Sequence, residues 1–278
     1  MGLMLPKPWI GLPSSNLNAT PSPGAVGAVV TANATAHNKG AYVTLIASTA
    51  YEVWGVTLCM MTNSTAAAQV NNLYDLAIGA AASEVVIVPD ILATHGANTT
   101  NSGQYTQIFL PIRIASGTRI SVRSQSNVVS KTSQVEIFVY GGRGIPPWPV
   151  FARAISIGTV STAGTNTNGL AHTAGNTGAE SAWTNFGSTL SRDIAALVPM
   201  VGTNTLTVMN NLQYHLEMGV ASTTFMEWTF ATNSAEFVND VYPQLPLYKR
   251  IPSGTQMMLR AECSGTGETL QYAALGFY

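Results

Sequence analysis

Four histidines and thirteen carboxylates are the side chains with the chemistry for catalysis or metal binding in this 278-residue sequence. His37, His95, His172 and His215 stand far apart, with no two at metal-ligand spacing and no Cys-x-x-Cys or His-Glu-x-x-His nearby. Glycoside hydrolysis needs two carboxyl groups flanking one bond. Glu52, Asp75, Asp90, Glu136, Asp193, Glu217, Glu227 and Asp240 offer that chemistry, but no spacing singles out a pair. Asp90 and Asp240 sit next to loops without the alternating Asp pattern of a calcium loop. The sequence holds neither a Gly-x-Ser-x-Gly elbow nor a phosphate-binding Gly-x-x-x-x-Gly-Lys run. It therefore assigns no catalytic, cofactor-binding or metal-binding residue. Cys59 and Cys263 read as two buried thiols rather than a disulfide.

What recurs along the chain is a scaffold. Asn71 to Gly79 returns as Asn210 to Gly219, one residue longer. Ile114-Ala115-Ser116-Gly117-Thr118-Arg119 returns as Ile251-Pro252-Ser253-Gly254-Thr255-Gln256, with Leu110-Pro111 and Leu245-Pro246 ahead of them. Arg123 matches Arg260, Arg113 matches Arg250, and Val135–Gly141 matches Leu270–Gly276. Read linearly, the acidic and histidine positions do not repeat, and His215 falls opposite Asp75. A duplicated unit that keeps packing and turns but not its chemistry is a building block.

The elements that carry these residues are strands. Val53–Met60, Glu84–Val88, Tyr105–Pro111, Arg119–Ser124 and Gln134–Tyr140 are short runs rich in β-branched and aromatic residues, several of them alternating apolar and polar. Ala66–Tyr74 reads as a strand or a single helical turn. Ser116-Gly117-Thr118 and Ser253-Gly254-Thr255 read as tight hairpin turns in which glycine supplies a positive φ. The expected fold is all-β: two tandem antiparallel β-sandwich domains, jelly-roll-like, from an internal duplication, with an immunoglobulin-like sandwich as the alternative. The expected organisation is an extended lead-in over 1–16, a first sandwich over 17–142, a linker over 143–150 and a second sandwich over 151–278. The Gly/Thr/Asn-rich segments 159–191 and 89–104 read as long loops and candidate contact surfaces.

Charged residues make up only 9% of the chain, against roughly 25% in an ordinary soluble domain. With a net charge of −1 and no Lys/Arg cluster, there is no footprint for nucleic acid or for an acidic membrane surface. No secretory signal pattern opens the sequence, and the longest apolar tract is too short to span a bilayer. A surface of Thr, Ser, Asn and Gly is easily desolvated and suits a chain packed against copies or partners. Trp9, Trp148, Arg123, Arg260 and Tyr278 are the candidate interface residues. Each Trp follows a proline ahead of a repeat, where it would plug its own sandwich or anchor a partner. Each Arg would brace neighbouring strands or reach a carboxylate of another subunit.

The pattern Ile-[Ala/Pro]-Ser-Gly-Thr, a strand ending in Arg, then a strand ending in hydrophobic-Tyr-Gly or Gly-Phe-Tyr resembles virion structural proteins of tailed bacteriophages. The residues concerned are Ile114–Arg123 with Val135–Gly141, and Ile251–Arg260 with Leu270–Tyr278. The resemblance is to β-sandwich head-decoration, cement and tail-appendage proteins. It implies a non-enzymatic virion component made in the host cytoplasm. Such a component would assemble with itself, as a homotrimer, and with other virion proteins such as the major capsid protein. A receptor- or carbohydrate-binding module of a tail fibre is the second reading, with Trp183 or Trp228 in a concave glycan site. A glycan hydrolase is the third.

Overall fold

A computed structural model describes residues 27–62, 70–95, 105–142, 144–159, 168–203, 212–232 and 246–278, together with the backbone of 9–10. All its regular elements are strands. The first unit holds β1 (Trp9–Ile10), β2 (Ala28–Thr31), β3 (Val43–Ile46), β4 (Val53–Thr62), β5 (Val70–Ile78), β6 (Val85–His95), β7 (Tyr105–Leu110), β8 (Ile120–Ser126) and β9 (Thr132–Gly141). The five strands expected in this unit are β4, β6, β7, β8 and β9. Val70–Tyr74 of the ambiguous segment lies in β5, and 66–69 fall outside the described residues.

The pairing is that of a long hairpin rolled on itself: β2 with β9, β3 with β8, β4 with β7 and β5 with β6, all antiparallel. Further pairing of β4 with β9 and β5 with β8 gathers these strands into two sheets, β2-β9-β4-β7 and β3-β8-β5-β6, and β1 extends the first beside the end of β9. This order is a jelly roll. An immunoglobulin-like sandwich keeps its last two strands side by side in one sheet, whereas β8 and β9 lie in different sheets.

The second unit holds β10 (Ala154–Ile157), β11 (Leu170–Thr173), β12 (Thr184–Asn185), β13 (Ala196–Thr203), β14 (Gln213–Val220), β15 (Thr223–Ala231), β16 (Met257–Cys263) and β17 (Thr269–Phe277). Its pairings follow the same order. β10 and β11 lie along one side of β17 and β13 along the other, while the second sheet runs β12-β16-β14-β15. Among the described residues, the place of β7 is marked only by the bridge between Leu197 and Leu247.

Alternation explains the cores. Val56, Leu58, Met60, Val135 and Ile137 point from the β9 sheet towards Leu76, Ile120 and Val122 of the β5 sheet, all fully buried. Val201, Leu270, Tyr272 and Ala274 of the β17 sheet face Leu216, Met218 and Leu259 of the β14 sheet in the same way. Gly117 and Gly254 both hold φ +76, and their amides bond Thr49 O (2.7 Å) and Leu190 O (2.8 Å) at matching places. The positive φ is as expected, but the first turn closes no hairpin: it carries the chain from β7 in one sheet to β8 in the other.

One further expectation changes. Pro89–His95 is part of β6 rather than a loop, and Leu170–Thr173 and Thr184–Asn185 are strands; 96–104 and 160–167 lie outside the described residues. β6 tolerates Pro89 because it is an edge strand, and a bulge there puts Asp90 at φ +50. The turn expectation for the linker is silent on contact between the units, and they share packing. Ala196, Val198, Met200, Ala273, Leu275 and Phe277 of the β17 sheet belong to the core cluster of the first unit.

Candidate functional site

Arg123 and Arg260 sit at one register of the two units. Arg123 is opposite Asp75, and Arg260 opposite Glu217. This corrects the linear reading: Glu217, not His215, is the counterpart of Asp75, and at this position the acid does repeat. Arg123 Nε lies 2.8 Å from Asp75 Oδ2, with its guanidinium 4.6 Å from the Tyr42 ring centroid. Arg260 Nε and Nη2 lie 3.0 and 2.9 Å from Glu217 Oε2, with its guanidinium 4.8 Å from the Trp183 ring. Tyr42 and Trp183 occupy matching places, since Val43 pairs with Val122 and Thr184 with Leu259. A second pair repeats as well: Arg113 with Glu52, and Arg250 with Asp193 at 2.9 Å. Each unit thus carries an aromatic–arginine–carboxylate stack on the outward face of one sheet. All four arginines engage carboxylates of their own unit.

The surroundings of the two stacks differ in charge. Three residues before Tyr42, Lys39 Nζ lies 2.7 Å from both Asp75 and Asp90. Three residues before Trp183 stands Glu180, which meets Arg260 Nη1. Burial works against ionised Asp75, but Lys39, the Asp90 amide and Arg123 hold its carboxyl below the usual range. Glu217 is likewise buried, yet Thr224, Glu180 and Arg260 bring it to about 2. The adjacent Glu180 is raised, first by its hydrogen bond to Glu217. Glu180, His215 and Glu217 offer ligand atoms within 4.8 Å of one another. The Arg260 guanidinium already meets both carboxylates, so the arrangement reads as an ion-pair network.

Trp148 folds back from the connector onto the outward face of the β9 sheet. Its Nε1 donates to Trp54 O at 2.9 Å, and its ring meets Phe109 and Tyr140 edge-on at 5.3 and 6.3 Å. Gly55 makes room for this, since a Cβ there would lie 2.7 Å from the Phe109 ring and 3.2 Å from Trp148. The backbone of Trp9 pairs with Gly141 where Ile155 pairs with Gly276, so the counterpart of Trp9 is Ile155 rather than Trp148. The Tyr278 ring lies 4.1 Å from the Arg192 guanidinium, and the Tyr278 carbonyl accepts from the amide of Ala152 at 3.2 Å. Trp183 is stacked under Arg260, and Trp228 is tilted against Phe230.

The histidines do not converge. His172 Nε2 is 2.7 Å from Ser181 Oγ and is pushed down by burial, and His215 lies 3.8 Å from Glu227. The His37 amide donates to Ser126 O; the side chain of His95 falls outside the described residues. Both cysteines are free and buried.

A further buried surface lies between the units. The outward face of the β17 sheet packs on β6 through Val198, Met200, Ala273 and Leu275. At its margin the Leu92 amide meets Met200 Sδ at 3.2 Å, and Asn168 Nδ2 donates to Asn71 O at 2.7 Å. Gly202 allows the close approach: a Cβ there would stand 2.8 Å from Thr94 Oγ1 and 3.3 Å from Leu92. Sequence reasoning missed this surface, although uninterrupted burial along β17 has a sequence sign in Leu270 to Phe277, which carries no charge.

No protein-family model matches the chain, and no curated protein resembles it in sequence. Solved structures with partial likeness include PNGF-II (10% identity, 91% of this chain and 62% of that one, TM-score 0.37). Broad Bean Stain Virus gives 8% identity over 90% of this chain and 87% of that one, TM-score 0.36. The tandem CBM22-1–CBM22-2 domain of Paenibacillus barcinonensis Xyn10C gives 8% identity over 97% and 98%, TM-score 0.29. The chain therefore spans about three-fifths of the length of PNGF-II. Likeness at these scores assigns no activity.

Proposed function

We propose that this chain is a non-enzymatic virion structural protein, a capsid decoration or cement protein or a tail-associated component, that assembles with its own copies and with other virion proteins such as the major capsid protein. The observation that carries the reading is the junction between its jelly rolls. There the protein joins two sandwiches through Val198, Met200, Ala273 and Leu275 of one sheet face, with Gly202 leaving room for the close approach. Such an uncharged contact sets no large desolvation cost against association. A chain with 9% charged residues has the composition to repeat that kind of contact outside itself. Immunogold labelling of purified parent particles tests the proposal: gold on the particles at a regular position is expected, and label found only in the cell lysate overturns it.

The glycan-binding reading keeps one supporting observation. Phe109, Tyr140 and Trp148 form a half-buried edge-to-face aromatic cluster, and exposed faces of aromatic rings are where sugar rings stack. A glycan array probed with the full chain, with Trp148→Ala as the control, separates this reading from the first.

A further inference from the structure

In the first unit one register holds a cation. Three groups bind the Lys39 ammonium: the Leu73 carbonyl at 3.3 Å, Asp75 Oδ1 at 2.7 Å and Asp90 Oδ1 at 2.7 Å. The second unit repeats these three positions without the ammonium. Asp75 pairs with Arg123 as Glu217 pairs with Arg260, and Leu73 with Gln125 as His215 with Glu262. Leu73 pairs with Leu92 as His215 pairs with Thr229, so Asp90, two residues before Leu92, corresponds to Glu227, two before Thr229. Leu73, Asp75 and Asp90 thus become His215, Glu217 and Glu227. Glu180 stands where Lys39 stood, three residues ahead of the stacked aromatic ring.

The exchange leaves the second register short of positive charge. Lys39 and Arg123 balance Asp75 and Asp90, whereas Arg260 alone stands against Glu180, Glu217 and Glu227. Lys249, the one lysine of 151–278, lies 5.6 Å over the Phe225 ring and bridges none of these acids. Two negative charges are left over, and one dication cancels them. The geometry suits such an ion. Glu180, His215 and Glu217 each offer a ligand atom, and the three atoms lie within 4.8 Å of one another. The ion-pair network around Arg260 leaves room for it. Thr224 and Arg260 bond Glu217 through Oε2 alone, and Arg260 meets Glu180 through its Oε2. The guanidinium can therefore hold one oxygen of each carboxylate while the other turns to the ion, in place of the hydrogen bond that the two acids share.

We infer that Glu180, His215 and Glu217 bind a divalent transition-metal ion of the Zn²⁺ type, in the place that the Lys39 ammonium fills in the first unit. An imidazole nitrogen beside two carboxylates selects such an ion over Ca²⁺ and Mg²⁺, which take oxygen ligands. Arg260 orients both carboxylates from behind. Glu227, 3.8 Å from His215 Nε2 and exposed, stands at the margin as a further donor. The ion ties the stretch ahead of β12 to β14, as Lys39 ties the stretch ahead of β3 to β5.

The test titrates the tag-free full chain, stripped with EDTA and dialysed, with zinc chloride in a calorimeter. One Zn²⁺ per chain is expected, with a rise in melting temperature that EDTA reverses. His215→Ala should weaken binding by about tenfold or more. Glu180→Lys should abolish it and leave the metal-free melting temperature no lower than that of the wild type, because it restores the ammonium of the first unit. Both side chains are partly exposed, at 31% and 29%, so the variants keep the fold. Co²⁺ gives a second readout: its visible d–d bands should appear with the wild type and not with His215→Ala. The inference is overturned if no zinc heat appears, if either variant binds as tightly as the wild type, or if Ca²⁺ binds as tightly as Zn²⁺. The outcome is independent of particle labelling, which tests the assembly reading.

Discussion

Arg260 reaches from β16 to Glu217 of β14, placing Nε and Nη2 at 3.0 and 2.9 Å from one carboxylate oxygen. Glu217 is 5% exposed, so this bond holds a charge that water does not reach. Arg260→Leu should cost about 2 kcal/mol, because it leaves that buried carboxylate without its cation, with only Thr224 and Glu180 bonded to it. The double variant Arg260→Leu/Glu217→Leu should recover most of the loss, since an apolar pair of similar volume avoids the desolvation cost. Urea denaturation of the two proteins checks both statements.

Stability should fall on acidification. Burial opposes the charge on Glu217, but its hydrogen bonds and Arg260 bring it from 4.5 to about 2, and Asp75 is lowered by Lys39 and Arg123. A depressed carboxyl contributes stability that is complete above its unfolded value and is lost as pH falls through its folded one. The melting temperature should therefore hold down to about pH 4.5 and decline towards pH 2, with a shallower decline for Glu217→Gln. Thermal melts across that range decide the matter.

Gly117 and Gly254 should each resist substitution for backbone reasons alone. At both positions a Cβ meets nothing within 4 Å, yet φ is +76. Gly117→Ala and Gly254→Ala should each cost about 1–2 kcal/mol. Gly55→Ala should act by contact instead: the added methyl collides with Phe109 and displaces Trp148, read as a red shift in tryptophan fluorescence.

The two units should unfold together. Met200 and Leu275 lie in the core cluster of the first unit, while their neighbours Val201 and Ala274 lie in that of the second. Calorimetry should show one transition. Val198→Asp, placed on the face turned to β6, should raise amide exchange in β6 as well as in β13.

Much of the fold was legible because alternation is a local signal. Ile120 and Val122, or Val135 to Val139, name their own buried face, and the Ser-Gly-Thr runs mark a positive-φ turn though not the crossing between sheets that the first one makes. The sandwich order was not legible, because jelly roll and immunoglobulin-like arrangements alternate alike and differ only in which distant strands pair. The acidic repeat escaped for a related reason. Linear matching set His215 beside Asp75, whereas the unbroken pairing of β5 with β8 and of β14 with β16 puts the true register at Glu217. Lys39, Tyr42, Glu180 and Trp183 lie in irregular stretches before short strands, where no period marks them. Their signal was the recurrence of Arg123 and Arg260, each of which needed a partner.

The exchange of Lys39 for Glu180 gives the molecule a polarity. Twin halves built on one plan would let a neighbour dock either way round, but an ammonium beside one stack and an extra acid beside the other make the ends chemically distinct. A neighbour therefore meets a different charge at each stack.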